Sequence, residues 1–248
     1  MWLWDYPGWV MQAANGSLAT AERVANSPRA KVRPVSEWSD WPRRPVGGVS
    51  KRTFDIVVAS VVLVFIAPLL LVLMIAVRLQ DGGPAFYGHR RVGLGGRPFA
   101  CLKFRTMVTN SDDALANLLA SDPAAAREWA ANRKLSRDPR ITRIGGFLRR
   151  SSLDELPQIF NVLRGEMSLV GPRPVVEEEL VRYDLARVHY LRARPGITGL
   201  WQVSGRSNTT YGRRVELDKA YVLRWTFAKD IMIVLRTVPA LATRSGAV

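Results

Sequence analysis

The sequence predicts an α+β fold that is mostly helical, attached to a membrane by one helical segment and carrying a small β-hairpin. Three observations support this prediction. A long apolar segment lies at residues 56–77, two short alternating segments flank a glycine-rich turn, and much of the remaining chain has helical periodicity. With 248 residues, 48% of them hydrophobic, the chain can form one large domain or two small ones.

Residues 1–46 differ in composition from the rest, and we interpret them as an irregular extension. They contain five of the eight tryptophans and five prolines, and neither helical nor strand periodicity persists there. The tryptophans would suit a membrane interface, where amphipathic rings are favoured, or they could pack on the folded domain. The sequence leaves both alternatives open. Residues 47–248 form the second predicted unit.

The apolar segment has the length and composition of a membrane helix. It runs for 22 residues without a charge, and about 20 apolar residues suffice to span a bilayer. The alternative is a buried helix of a soluble protein. Such helices seldom stay apolar on every face for about six turns, which favours the membrane.

Pro68 lies near the middle of this segment, where it removes a backbone hydrogen bond and bends a helix. Positively charged residues flank both ends of the segment: Lys51, Arg52, Arg78, Arg90 and Arg91. The positive-inside rule therefore gives no clear orientation for a spanning helix. Each half would rise about 18 Å, just over half of a ~30 Å hydrocarbon core. A re-entrant hairpin over residues 51–78, broken at Ala67 and Pro68, is therefore slightly favoured over a kinked spanning helix.

Residues 79–248 have the character of a cytosolic domain. Strands at 85–89 and 98–104 are predicted to form a hairpin around the turn at 93–96. Helices are predicted at residues 112–135 (broken near Pro123), 143–150, 175–190, 216–224 and 231–242. The helix at 143–150 has the spaced arginines of an amphipathic interfacial helix, although an ordinary surface helix would look the same.

Asp154 and Glu155 are adjacent carboxylates, which repel each other unless a cation or a proton lies between them. Ser152 precedes Glu155 at a capping-box spacing, and Pro157 is favourable only in the first turn of a helix. Both acids are therefore expected in a first helical turn, where free N–H groups and the helix dipole attract anions. Taken alone, the pair could simply cap the helix.

Basic residues occur in several motifs around this pair. Arg173 lies between two prolines, a rigid mount for a guanidinium that must meet a phosphate in a fixed geometry. Arg206 follows a glycine, so that a ligand could approach the backbone closely. Lys103 and Arg105 alternate with apolar residues and would share one face of a strand, which a structural salt bridge would also explain.

Composition limits the classes of molecule that the protein is expected to bind and the kinds of metal site that it can form. The chain has 36 Lys and Arg against 21 acids, a net charge of +15, which favours nucleic acid, acidic lipid headgroups or phosphorylated substrates. The single cysteine, Cys101, excludes an internal disulfide and a thiolate metal cluster. The two histidines, His89 and His189, are far apart in sequence, which argues against a His-rich zinc site.

Several motifs in order, at compatible spacing, closely resemble the bacterial sugar transferases, the monotopic phosphoglycosyl transferases that start exopolysaccharide and glycan assembly. They are KRTFD at 51–55, the Pro-broken apolar run, KFRTM at 103–107, SLDELPQ at 152–158, SLVGPRP at 168–174 and RPGITGLWQVSGR at 194–206. The resemblance runs from about Val46 to Thr243. Within the family, the chain looks most like the short initiating enzymes of succinoglycan-type synthesis, which move galactose phosphate or glucose phosphate.

The resemblance implies transfer of a sugar phosphate from a UDP-sugar to undecaprenyl phosphate, with release of UMP. It implies a covalent intermediate on Asp154 and a Mg²⁺ ion held at the dyad, with Glu155 as its partner beside the diphosphate. Matching basic positions, which would hold the phosphates, are Lys103, Arg105, Arg150, Arg173 and Arg206, with a structural role as the alternative for Arg105.

The resemblance also implies a re-entrant helix in the bacterial inner membrane, in contact with membrane lipids and with the catalytic domain on the cytoplasmic face. The family's helix break is commonly Ser-Pro, whereas this chain has Ala67 before Pro68. A serine hydroxyl could bond a backbone carbonyl and deepen the bend, so the bend angle here is left open.

Two other classes of function compete with a transferase. A membrane-anchored nucleic-acid-binding protein would explain the charge, but it needs stacking aromatic rings on a basic face, and most tryptophans lie in the extension. No nucleic-acid partner is therefore expected. A structural scaffold for a synthesis complex would reduce the acid pair to a cap. The transferred sugar is left open, as is the choice between a monomer and a homodimer.

Overall fold

The computed structural model describes residues 45–132, 134–205 and 210–242. The fold is mostly helical, as predicted, and it contains two small sheets, of which one is the predicted hairpin. The helices are α1 (Gly48–Asp81), α2 (Ser111–Ser121), α3 (Pro123–Asn132), α4 (Arg143–Ser151), α5 (Gln158–Arg164), α6 (Glu177–Val181), α7 (Arg187–Tyr190), α8 (Tyr211–Leu223) and α9 (Phe227–Ala242). The strands are β1 (Phe86–Val92), β2 (Pro98–Phe104), β3 (Ser168–Val170) and β4 (Gly196–Thr198). The predicted extension at residues 1–46 lies outside the described residues except for its last two positions.

The predicted hairpin is confirmed. Strands β1 and β2 pair antiparallel, with Phe86 opposite Phe104 and Val92 opposite Pro98. Gly95, in the connecting 3₁₀ turn, has a φ of 63°, a conformation that glycine adopts without steric cost. The break at Pro123 is also confirmed, because α2 ends at Ser121 and α3 begins at the proline.

The apolar segment forms one 34-residue helix, α1, with Pro68 inside it. One stripe of the helix packs on the rest of the domain through Ala59, Leu70, Leu73 and Val77. The opposite side exposes large apolar side chains, including Val57, Val61, Val64, Phe65, Val72 and Ile75. Only 17% of its most apolar stretch is buried, whereas the core helix of a soluble protein is mostly buried. By length and composition, α1 can enter a membrane.

The N-terminal end of α1 is held by a buried ion pair. Lys51 Nζ lies 2.6 Å from Asp230 Oδ2 in α9, and the two side chains are 7% and 0% exposed. The same carboxylate accepts hydrogen bonds from the Tyr221 hydroxyl (2.8 Å) and from Trp225 Nε1 (2.9 Å). A buried ion pair is tolerated only when such further bonds satisfy its remaining polar atoms.

Further polar contacts hold α1 nearer its middle and at its other end. Asp55 Oδ1 accepts hydrogen bonds from Ser168 Oγ at 3.0 Å and from the Leu169 amide at 3.1 Å. Asp81, the last residue of α1, pairs with Arg105 just beyond β2. Both ends of the apolar helix are therefore attached to the same domain.

A parallel pairing of β3 with β4 was not anticipated from the sequence. Ser168 lies opposite Gly196, and Val170 lies opposite Thr198. A Cβ on Gly171 or Gly196 would clash with the backbone of the other segment, so glycine is required where they meet. This pairing places Arg173 just beyond the end of β3.

Two local predictions were wrong. Ser152 has a φ of 57° at the end of α4 and makes no capping bond, so the acids lie in a 3₁₀ turn, Leu153–Glu155, before α5. Pro157 is the N-cap residue of α5 and does not pull the helix start back to Asp154. The helix predicted at 175–190 consists of α6 and α7 with a 3₁₀ turn between them, where Asp184 has a φ of 44°.

Candidate active site

Helix α4 sets the position of the acid pair from one side. Gly145 lies against the backbone of Thr106, where a Cβ would clash with the carbonyl oxygen. Arg149 Nε donates a hydrogen bond to Thr106 Oγ1 at 2.8 Å. The left-handed conformation of Ser152 then reverses the chain, which places Asp154 close enough to Arg149 for their charges to interact.

Helix α5 sets the position from the other side, through the fully buried Asn161. Its Oδ1 accepts from the Leu102 amide at 2.9 Å, and its Nδ2 donates to the Ala100 carbonyl at 2.8 Å. These two bonds fix β2 against α5. Lys103, the next residue of β2, is thereby directed at the turn that carries the acids.

Lys103 is the cation that offsets the repulsion between the adjacent carboxylates of Asp154 and Glu155. Its Nζ lies 2.7 Å from Glu155 Oε1 and 3.8 Å from Asp154 Oδ2. The side chain of Asp154 is 15% exposed and that of Glu155 is 45% exposed. The ammonium group therefore bridges an inner acid and an outer one.

The two acids are electrostatically unequal. Burial raises the pKa of Asp154 to about 6, and the charge of Glu155 adds to this effect while Lys103 opposes it. Desolvation acts in the same direction on Glu155, but the charge of Lys103 and its hydrogen bond outweigh it and lower the pKa of Glu155. At neutral pH Glu155 is a fixed anion, whereas Asp154 is a carboxylate of raised basicity.

Three arginines add positive charge around the pair. Arg149 stabilises the anionic form of Asp154, and Arg173 and Arg91 stabilise that of Glu155. The guanidinium carbon of Arg173 lies 5.5 Å from the ring centre of Trp201, within the range of a cation–π contact. Arg91 Nη1 donates to the Pro174 carbonyl at 3.2 Å, next to Arg173 in the chain. A site of this kind suits a substrate with more than one phosphate.

Behind these arginines lies a second polar layer. Glu179 pairs with Arg214, and its Oε2 lies 3.9 Å from Arg91 Nη1. Arg214 also lies 5.1 Å from the ring centre of Trp201. Asp218 accepts a hydrogen bond from the Tyr183 hydroxyl at 2.8 Å, and burial raises the pKa of Asp218 to about 7. This layer limits the orientations open to Arg91 and Arg173.

The structure brings together four of the residues chosen from the sequence and separates others. Lys103, Asp154, Glu155 and Arg173 form one site. Arg150 lies on the exposed side of α4. Arg105 pairs with Asp81 at the end of α1, which agrees with the structural role weighed for it. Arg206 lies outside the described residues.

Sequence reasoning missed two arginines of the site. The motif indicates Arg150 and not its neighbour Arg149, and only the contact of α4 with Thr106 distinguishes the two. In the sequence, Arg91 stands out only as one of the charges that flank the apolar segment. The signal for it was strand alternation, because the pairing of Tyr87 with Lys103 places Arg91 on the same hairpin face as Lys103.

Asp154 and Glu155 are the residues of the site that could bind a metal ion. Within the described ranges, no group of three or more His, Cys, Asp and Glu side chains comes together. Mg²⁺ is commonly bound by one or two carboxylates together with substrate phosphates and water, and rarely by an all-protein cage. Asp154 and Glu155 therefore fit Mg²⁺ when a diphosphate supplies further oxygen ligands.

Comparisons with known proteins agree with this chemistry. The chain is 53% identical over 203 residues to the exopolysaccharide production protein ExoY of Rhizobium meliloti, covering 82% of this chain and 90% of that protein. It is 54% identical over 197 residues to an undecaprenyl-phosphate galactose phosphotransferase of Salmonella typhimurium, covering 79% of this chain and 41% of the relative. It is 42% identical over 205 residues to a UDP-glucose:undecaprenyl-phosphate glucose-1-phosphate transferase of Caulobacter vibrioides, covering 79% and 71%.

The family model described as bacterial sugar transferase matches residues 46–244, which include α1, the hairpin and every residue of the described site. The match begins where the irregular extension was predicted to end. The chain therefore belongs to the bacterial sugar transferase family.

Proposed function

We propose that this protein transfers a hexose 1-phosphate from a UDP-sugar to undecaprenyl phosphate, as the first step in assembling an exopolysaccharide repeat unit. The observation that carries the proposal is the Asp154–Glu155 pair bridged by Lys103 and surrounded by arginines, on a domain that holds both ends of an apolar helix. Relatives are named for galactose and for glucose, so either hexose is a candidate.

In the proposed reaction Asp154 is the nucleophile. Its carboxylate attacks the phosphorus that carries the sugar, an O–P bond forms, and the bond between the two phosphates breaks to release UMP. A phosphate oxygen of the lipid then attacks the same phosphorus, which transfers the sugar phosphate and frees the carboxylate. The raised pKa of Asp154 favours this role, because a more basic carboxylate is a better nucleophile once ionised.

The surrounding cations stabilise the phosphates. Phosphoryl transfer depends mainly on positioning and on neutralised charge. Lys103, Arg91 and Arg173 lie beside Glu155, where they would hold the diphosphate, and Arg149 lies beside Asp154. Mg²⁺ bound by the dyad would neutralise further diphosphate charge, with Glu155 as its principal protein ligand.

The remaining basic residues have less support from geometry. Arg206, at the end of the motif that contains β4, and Arg150, on the exposed side of α4, stay in the proposal as phosphate contacts because of the family resemblance. We assign Arg105 to holding the end of α1, since its guanidinium is already paired with Asp81.

We further propose that α1 is re-entrant, entering and leaving the inner membrane on the cytoplasmic side, with its turning point at Ala67 and Pro68. The support is that Lys51 and Asp81, near opposite ends of the helix, both bind the same domain. A helix that crossed the membrane would have its ends on opposite sides.

The test is the fate of the sugar phosphate at Asp154. Purified protein is incubated with UDP-galactose or UDP-glucose and Mg²⁺, and the intact mass is measured for a hexose-phosphate adduct. We expect one donor to form the adduct, and we expect D154N to lack it and to lose at least about 10³-fold in UMP release. Full activity of D154N, which keeps the size of the side chain, would contradict the proposal.

A further inference from the structure

We propose that Tyr87 and His89, on strand β1, form the surface on which the uracil ring of the donor stacks. The inference rests on the proposed function, because it requires a uridine nucleotide as the donor. It adds a binding subsite for the part of the donor farthest from the reacting phosphorus.

The register of the hairpin places these rings beside the site. Tyr87 lies opposite Lys103 and His89 lies opposite Cys101. Directly opposed residues of an antiparallel pair have Cβ atoms about 5 Å apart on the same face. Since side chains alternate along a strand, Tyr87, His89 and Arg91 share the hairpin face of Lys103, which contacts both acids of the dyad.

The planes of the two rings are nearly parallel. Their centres are 6.3 Å apart and their planes differ by 24°. Both side chains are partly exposed, so a further ring can reach them. Burial raises the pKa of the Tyr87 hydroxyl; the charge of Asp112 adds to this effect and that of Arg91 opposes it. Along β1, the site cation Arg91 is therefore the next residue on the same face as the two rings.

Three further aromatic residues, Phe99, Phe104 and Trp201, are less accessible. Phe99 and Phe104 are 8% and 2% exposed and belong to the hydrophobic core. Trp201 is 9% exposed, and two guanidinium groups already contact its ring. Within the part of the chain that the structure describes, Tyr87 and His89 are the partly exposed aromatic pair on the face of Lys103.

The chemistry of this surface fits a nucleobase. Bases stack on tyrosine and histidine rings, and removing one such contact weakens binding by about 5- to 150-fold. With the base on β1, the attached diphosphate lies towards Arg91 and Lys103, and the sugar-bearing phosphorus lies towards Asp154. The hairpin would thus bind both the base and the phosphates of one donor.

The experiment compares Y87L, which removes the ring, with Y87F, which keeps it. We measure the KM for the UDP-sugar, the inhibition constants of UMP and of uridine, and the KM for undecaprenyl phosphate. We expect Y87L to raise the donor KM and to weaken inhibition by UMP and uridine at least fivefold, with the lipid KM unchanged. Y87F should stay within about twofold of the wild type.

The outcomes separate this inference from the proposed function. If the wild type releases no UMP from any UDP-sugar, the proposed function fails and the inference fails with it. If the wild type is active and Y87L binds donor and UMP normally, the stacking surface is wrong while the function stands. A raised donor KM with unchanged UMP inhibition would assign Tyr87 to the sugar and overturn the inference. Should Y87L not fold, H89A is subjected to the same measurements and the same criteria.

Discussion

At the scale of single residues, Arg149 and Arg150 are neighbours in sequence with different surroundings. Arg149 is partly buried, donates to Thr106 and interacts with Asp154, and its pKa is lowered to about 10 by burial. Arg150 lies on the exposed side of the helix. A charge held in a partly buried site interacts more strongly with a phosphate than one in water.

This difference predicts unequal effects of matched substitutions. We expect R149Q to slow UMP release by about 10²- to 10³-fold, the range found when one donor to a developing charge is removed. The loss in R150Q should be at least tenfold smaller. Steady-state rates at saturating donor and lipid provide the comparison, and equal losses in the two variants would show that burial does not distinguish them.

Asp218 predicts a pH dependence of stability. Its pKa in the folded protein is raised to about 7, mainly by burial, from an ordinary value of 3.8. The folded state therefore binds the proton more tightly than the unfolded state, and this carboxyl favours folding less as the pH rises from about 4 to 7. D218N removes the titration and keeps an oxygen that can accept from Tyr183.

We therefore expect the melting temperature of D218N, relative to the wild type, to increase as the pH rises from 5 to 8. Thermal unfolding of both proteins in one detergent at four pH values measures the difference. A difference that stays constant over this range would mean that Asp218 does not titrate there.

At the scale of elements, the buried pair of Lys51 and Asp230 holds α1 on α9. Removing one partner of a buried ion pair costs about 3–5 kcal/mol, because the other charge is left without compensation. K51M should therefore destabilise the protein strongly. In K51M/D230N neither charge remains and the Asn can still accept one hydrogen bond, so much of the loss should be recovered.

A double-mutant cycle measures this coupling from the unfolding of K51M, D230N and the double variant. Because α1 has to leave α9 for the pair to separate, limited proteolysis offers a second readout of the same change. Strictly additive losses would show that the two side chains do not stabilise each other.

The elements that sequence reasoning predicted share one property, which is length. The hairpin, the helices broken at Pro123 and the closing helices α8 and α9 each repeat their periodicity several times. Strands β3 and β4 have three residues each, too few to show alternation, and only their contact reveals them. The capping box predicted at Ser152 failed for another reason. The spacing of Ser152 and Glu155 does not exclude the left-handed conformation that Ser152 adopts.

In the candidate site, too, some residues leave a pattern in the sequence and others are revealed only by their contacts in the structure. The motifs pointed to Asp154, Glu155, Lys103 and Arg173, because charged residues stood out against rigid or alternating surroundings. Asn161 could not be found in this way, since one buried amide inside a helix has no sequence signal. Its importance comes from contacts with a strand about 60 residues earlier in the chain.

At the scale of the whole molecule, the attachment of both ends of α1 to one domain makes re-entrance testable. V49C and Q80C place single thiols at exposed positions at either end of the helix. A membrane-impermeant maleimide should label both in inverted inner-membrane vesicles and neither in intact cells. A spanning helix would instead expose one position on each side.

The native thiol of Cys101 is not expected to react with the maleimide. Cys101 is 3% exposed, and burial raises its pKa to about 11, so that little reactive thiolate forms at neutral pH. The wild type is therefore the matched control and should remain unlabelled in both preparations.

The contact between Lys51 and Asp230 also has a consequence for biosynthesis. The two residues are 179 positions apart, so Asp230 is synthesised long after the apolar helix has been made. At about 5–20 residues per second, this delay amounts to roughly 10–35 s. During that interval Lys51 lacks its buried counter-charge, and α1 lacks its contact with α9. Docking of the N-terminal end of α1 onto α9 is therefore among the last events of folding.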